Sequence, residues 1–324
     1  MTAKQLIREA GARSSVLRSV LFILCAIVSL TPVATPGLAL GLGAALGLSI
    51  GNPYPRASAR WSKLLLQGCV VGLGFGMPLG AVLRAGAAGF GYTVAGIAVA
   101  VAAGLALGRR LGVGREPSIL ITAGTSICGG SAIAAVGSAI GARPESMSVA
   151  LATVFVLNAV ALYLFPPIGG LLGLTEEEFA LWAALAIHDT SSVVGAAAAY
   201  GPVALQQATI LKLARALWIV PLTLAAAWYS GRGAAGRSRA RVRVPWFIFC
   251  FILAAVVRSV VPAGVEPFLD GMVRGARIGL VLTLFLIGAG LTRATLRAVG
   301  ARPLAQGIIL WVVMAVSTVL AVAW

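Results

Sequence analysis

Charge is what this sequence has least of. Of its 324 residues 10% are charged, and only nine are acidic. A soluble domain carries about a quarter of its residues as charge, so a water-exposed globule is excluded. Histidine occurs once, and neither an HExxH nor a GxSxG motif is present. A histidine-built metal site or a serine-hydrolase centre therefore has nothing to rest on. No catalytic residue, metal or cofactor is expected, and the protein does not read as an enzyme. The four cysteines, Cys25, Cys69, Cys128 and Cys250, fall inside apolar runs with no close pair. That excludes a disulfide frame and zinc spacing. Long polar segments are also missing: the longest is 230–243, so no soluble domain is expected.

What is present is apolar. Hydrophobic residues make up 60% of the chain, and mean hydropathy is +0.99. The apolar runs approach the ~20 residues that cross a ~30 Å hydrocarbon core as helix. Backbone groups in lipid must pair internally, which leaves helices or closed barrels. The runs are continuous and do not alternate with period two, which selects helix. The fold class expected is an all-α polytopic membrane protein of eleven spans: 16–33, 36–51, 61–83, 87–108, 117–140, 144–166, 176–199, 202–229, 244–261, 273–297 and 303–323.

The formal charge of +16 is distributed by side. With the N-terminus inside, one face collects Lys4, Arg8, Arg13, Arg18, Arg56, Arg60, Arg109, Arg110, Arg115, Arg232, Arg237, Arg239, Arg241, Arg243, Arg297 and Arg302. The other keeps Arg84, Arg143, Arg258, Arg274 and Arg277. Sixteen against five follows the positive-inside rule. The expected location is a bacterial cytoplasmic (inner) membrane, with the N-terminus cytoplasmic. Anionic lipid headgroups, not nucleic acid, are the partners this charge implies.

Ser138–Pro144 (SAIGARP) and Arg297–Pro303 (RAVGARP) align without a gap at an offset of 297 − 138 = 159 residues. Extended backwards, the alignment sets Ile127–Ser131 on Leu286–Gly290. Spans five and six then match spans ten and eleven in opposite orientation, an inverted repeat of the kind secondary transporters use. The division expected is 1–35 as an extra first helix, 36–170 as the first repeat and 171–324 as the second.

Gly124-Thr-Ser-Ile-Cys-Gly-Gly-Ser131 places three glycines and four polar side chains near mid-span. Such a cluster suits either close helix packing or a helix broken at mid-membrane. A broken helix offers amide donors and the positive end of its dipole to an anion. Gly288-Ala-Gly290, followed by Thr292 and Arg293, is the matching interruption. Among the acids only Asp189 sits near mid-span, preceded by the single histidine, His188. An ionisable group at that depth costs roughly 2.5–3.5 kcal/mol, so it faces a cavity or a partner. Asp189 suits a coupling proton or sodium ion, or a structural ion pair; His188 is the residue type that titrates near neutrality. Lys212 and Arg215 share one helix face and either snorkel or give the interior positive character. Lys63 lies nearer a span end.

The stretch Gly124–Ala135 resembles the signature of the YeiH-type (UPF0324) membrane proteins, a family labelled as sulfate exporters. His188-Asp189 before Val193-Val194, the Lys212-Leu-Ala-Arg215 cluster and Pro245-Trp-Phe247 add to the likeness, which runs from about residue 36 onward. Asp189 stands where some members have glutamate, preserving charge and shortening reach. The resemblance implies anion export and an inverted-repeat design similar to the bile-acid symporters and sodium/proton antiporters.

These readings give an expected transporter of a small anion, sulfate or an organic sulfonate or carboxylate, working by alternating access. Ser126, Cys128, Gly129, Gly130, Ser131, Gly288, Gly290 and Thr292 would bind the substrate, with Lys212 and Arg215 supplying positive potential. His188 and Asp189 would couple transport to Na+ or H+. A cation/proton antiporter centred on Asp189 is the alternative, and a non-transporting membrane sensor is a third class. A homodimer suits the architecture.

Overall fold

A computed structural model describes residues 3–31, 33–229, 246–290 and 300–323. Among them every regular element is helical: α1 (Ala3–Val28), α2 (Pro36–Ser49), α3 (Pro55–Gly74), α4 (Leu79–Arg110), α5 (Arg115–Ser126), α6 (Gly130–Ile140), α7 (Pro144–Leu171), α8 (Glu176–Ala186), α9 (Thr190–Tyr200), α10 (Pro202–Ala216), α11 (Ile219–Tyr229), α12 (Trp246–Val260), α13 (Glu266–Ala289) and α14 (Ala301–Ala323). Five are long and apolar enough to cross a membrane, counting Pro202–Ala226 across α10 and α11 as one. Shorter apolar helices include α2, α6 and α12.

Two of the expected spans are not straight crossings. Residues 117–140 form two arms, α5 and α6, whose outer ends meet. Glu116 at the start of α5 accepts from the Arg143 backbone N–H at 3.1 Å and from Ser146 Oγ at 2.9 Å. A straight helix over those 27 intervening steps would hold Glu116 and Arg143 about 40 Å apart. Residues 176–199 repeat the design in α8 and α9. Glu176 accepts from the N–H groups of Val203 and Ala204 at 2.7 and 2.9 Å, and Tyr200 Oη donates to the Leu174 carbonyl at 2.5 Å. A capping box between Thr175 and Glu178 fixes where α8 begins. Each arm has 11 or 12 residues, or roughly 17 Å, about half a hydrocarbon core.

The two hairpins share one plan. An acid opens the first arm, and its carboxylate caps the Pro-started helix that follows the second arm: Glu116 for α7, Glu176 for α10. Both prolines stand at N1 or N2, where the missing N–H costs nothing. Helix α7 runs between the hairpins, so they open at opposite ends of the molecule and meet tip to tip. This internal likeness lies at an offset of about 60 residues (128 to 188 at the tips); at the offset of 159 the second arm, α6, falls on residues 289–299, most of which lie outside the described residues. Helix α13 ends at Ala289 with Gly290 as its C-cap, at the place of the expected Gly288–Gly290 interruption. Thr292, Arg293 and Arg297 lie outside the described residues.

Packing sorts the helices into two bundles. In one, α13 lies against α2 and α3, with α12 on α3 and α1 on α2; in the other, α4 to α11 and α14 enclose both hairpins. The first is held by close backbone approach. A methyl on Gly43 would meet the Phe285 carbonyl, and one on Gly288 would meet the Leu40 carbonyl. Small residues at crossings let helices approach where lipid supplies no hydrophobic drive. An apolar cluster, including Val70, Leu73, Ile127, Cys128, Leu213 and Phe251, fills the seam between the bundles.

Candidate functional site

The hairpin tips, Ile127-Cys128-Gly129 and Ile187-His188-Asp189, meet near the middle of the molecule. Gly129 turns the first with φ +63°, and a Cβ there would lie 3.2 Å from Asp189 Cβ. Only glycine takes that backbone without penalty and leaves room for Asp189.

Each tip exposes two kinds of helix end. At the ends of α5 and α8 the carbonyls lack helical partners, and two buried cations take them. Arg215 Nε donates to Ser126 O at 2.7 Å, Nη1 to Leu185 O at 2.6 Å and Ala184 O at 3.3 Å, and Nη2 to Thr125 O at 3.3 Å. Lys212 Nζ donates to Ile187 O at 2.7 Å and Ala184 O at 3.2 Å. Both side chains have 0% exposure, so snorkelling is overturned: one turn of α10 presents both to the carbonyls, inward. Their hydrogen bonds all go to carbonyls of the protein itself. Lys63, by contrast, is exposed near the start of α3.

At the starts of α6 and α9 it is N–H groups that lack partners. Asp189 caps α9, its Oδ2 accepting from the Ser191 N–H at 3.1 Å and also from Ser191 Oγ. Helix α6 begins after Gly129 with no side-chain hydrogen bond capping it. Gly130 is half-buried and Ser131 exposed, as are Asp189 and Thr190 in part. These are the polar groups of the tips that open outward from the core. Ser126 is fully buried, and its hydroxyl donates to Thr122 O within its own helix.

His188 is 1% exposed, and neither ring nitrogen has a hydrogen-bond partner. Its backbone is held by a residue the sequence reading passed over. Asn158, from the middle of α7, accepts with Oδ1 from the N–H groups of His188 and Asp189 at 3.1 and 3.2 Å. Its Nδ2 is buried without a partner. A lone amide inside a span of apolar residues was the signal that could have found it.

Of the predicted residues, the fold therefore gathers Ser126, Cys128, Gly129, Gly130, Ser131, His188, Asp189, Lys212 and Arg215 about the two tips. Gly288 lies in the α2–α13 crossing, against Leu40 and Ala44, and Gly290 closes α13. All four cysteines are free thiols. Among the described residues no group of three His, Cys, Asp or Glu side chains could hold a metal.

Comparison with known proteins agrees with the helical, membrane-embedded character. Residues 15–307 match the family described as "Conserved hypothetical protein 698". A UPF0324 membrane protein of Bacteroides thetaiotaomicron is 48% identical over 287 residues, 88% of this chain and 85% of that one. The chain belongs to the UPF0324 membrane protein family. Other family members include those of Bdellovibrio bacteriovorus, 48% identical over 92% of this chain and 91% of that one, and Geobacter sulfurreducens, 46% identical over 94% of each. No solved structure matches.

Proposed function

We propose that this UPF0324 protein is a secondary active transporter of a small anion, sulfate or an organic sulfonate or carboxylate. The substrate is held where the two hairpin tips meet. The observation that carries the reading is the charge balance there. The buried side chains of Lys212 and Arg215 stand at the tips with one carboxylate, Asp189; with all three charged they sum to +1. The C-terminal ends of α5 and α8 add about half a negative charge each, and the N-terminal ends of α6 and α9 about half a positive charge each, so the net is about +1. An unbalanced charge in a low-dielectric interior is costly, and an anion at the uncapped start of α6 closes the balance. The amides of Gly130 and Ser131, the Ser131 hydroxyl and Thr190 are its ligands; the Gly129 N–H is donated to the Gly124 carbonyl at 2.9 Å.

The hairpins enter from opposite faces in this reading, leaving nine crossings and not eleven. The opening of the α5–α6 hairpin is cytoplasmic, so Arg143 moves to the inner group; sixteen against five becomes seventeen against four, a better fit to the positive-inside rule. Alternating access comes from movement of the hairpin bundle along the apolar seam with α2, α3, α12 and α13. Inner-membrane location with a cytoplasmic N-terminus belongs to the same proposal, as does coupling to H+ or Na+ through Asp189.

A cation/proton exchanger is the second reading, favoured by one observation: Asp189 is the only acid at the tips and is not sealed from the seam. Proteoliposome flux separates the two. Saturable exchange of labelled sulfate, competed by an alkanesulfonate, supports the anion reading. Dye-detected proton movement on adding sodium, with no anion flux and lost in Asp189→Asn, supports the exchanger.

A further inference from the structure

The positive-inside rule leaves a residue of arginines unexplained. On the outer side lie Arg84, Arg258, Arg274 and Arg277. Arg258 is paired with Asp270 at 3.0 Å. Arg277 is exposed, and among the described residues it has no carboxylate within ion-pairing distance. It lines a cavity of about 440 Å³, with Ser29, Thr31, Tyr200, Gly201 and Val281 among the other walls. The walls come from the α1–α2 connection, α2 and α13 of one bundle and from α9 and α10 of the other. The cavity therefore sits on the seam, at the open end of the α8–α9 hairpin.

That position decides what the cavity can do. Helix α9 runs from Asp189 at the tip to Tyr200 at the cavity wall, about 16 Å at 1.5 Å per residue. The volume exceeds what a bare inorganic anion fills. At ~30 Å³ per water it holds an ion with roughly a dozen waters. An unpaired guanidinium in a recess with apolar walls raises the local concentration of anions, because low-dielectric walls focus its field. The hydroxyls of Ser29 and Thr31 donate to Cys25 O and Val28 O in their own chain segment; Arg277 supplies the only formal charge of the lining, and the Glu176 carboxylate behind Gly201 is held by the Val203 and Ala204 N–H groups.

We infer that this cavity is the outer vestibule of the anion pathway, and that Arg277 is the cation that recruits a hydrated oxyanion into it. The inference rests on the anion-transport reading for its role. Its binding chemistry stands separately and is tested separately.

The probe is a Thr31→Cys variant in proteoliposomes of phosphatidylcholine, labelled from outside with an anionic or a cationic methanethiosulfonate and read by peptide mass at position 31. Relative to their rates with a free thiol, the anionic reagent is expected to react about tenfold faster. Adding Arg277→Gln removes the preference, Arg277→Lys keeps it, and millimolar sulfate slows labelling. A preference that survives Arg277→Gln, or no labelling at all, overturns the inference. So does blocked labelling on adding phosphatidylglycerol with no effect of sulfate, which would assign the site to headgroup phosphate. In the transport arm, Arg277→Gln lowers the initial rate of labelled sulfate uptake about tenfold at low ionic strength and little at high salt; an unchanged salt dependence counts against the inference. Intact charge preference at position 31 with no anion flux in the wild type would sink the transporter reading and leave the anion site standing.

Discussion

Arg215 and Ser126, 89 residues apart in the chain, are joined at the centre of the molecule by an Nε donation of 2.7 Å. The same guanidinium reaches Leu185 in the other hairpin. One side chain thus fastens both half-helix ends and holds the tips in register.

Arg215→Lys is expected to keep the charge and lose the fork that spans the two tips. The cost is about 2 kcal/mol, from buried carbonyls left without donors. It is read as a drop of several degrees in the midpoint of thermal unfolding in detergent. An unchanged midpoint would show that the carbonyls find other partners.

The hairpin fold predicts proximity at the outer ends. Cysteines introduced at Glu116 and Arg143 should be bridged by a short bifunctional maleimide, as should a pair at Glu176 and Val203. A straight crossing would hold the first pair about 40 Å apart and give no bridge.

Two glycines separate the site from its scaffold. Gly129→Ala must adopt φ near +63° with ψ near −123°, at a cost of about 1–3 kcal/mol, while pushing on Asp189. Anion flux should be lost along with stability. Gly288→Ala drives a methyl into the Leu40 carbonyl and spreads α2 from α13. Stability should fall, and the half-saturating anion concentration should not change. Equal effects of both variants on that concentration would contradict the placement of Gly288 outside the site.

Asn158→Leu removes the acceptor for two buried N–H groups, each worth about 1–3 kcal/mol when orphaned. Hydrogen exchange should accelerate at His188 and Asp189 before it does elsewhere in α9. Unaltered protection there would mean that the tip is held by other contacts.

Hydropathy made the membrane character legible, together with most helix positions, because an apolar run declares itself whatever its path. The path itself was not legible from hydropathy. A run of 24 residues such as 117–140 is equally apolar as one crossing or as two arms folded back. The distinction rested on Glu116 and Glu176, each followed 26 to 28 residues later by a helix-starting proline, Pro144 and Pro202. The Gly-Ala-Arg-Pro identity drew attention to a different offset, which sets α5 against the last turns of α13 and the end of α13 at Gly290 against the first tip. Gly288 has a packing role that its sequence does not separate from a break, because glycine in a membrane helix serves close approach as readily as an interruption. The tip residues were found because polar and ionisable groups are rare in such runs. Asn158 was not, since one uncharged amide barely lowers the hydropathy of α7.

The central claim is that an anion binds where the hairpins meet and is carried across. Initial rates of labelled sulfate exchange in proteoliposomes, with an alkanesulfonate and a dicarboxylate as competitors, test it most directly when wild type is set beside Gly129→Ala. The account predicts saturable, competable flux in the wild type and its loss in the variant, whose start of α6 is displaced. Flux of none of the three anions, with sodium-driven proton exchange that vanishes in Asp189→Asn, would contradict it.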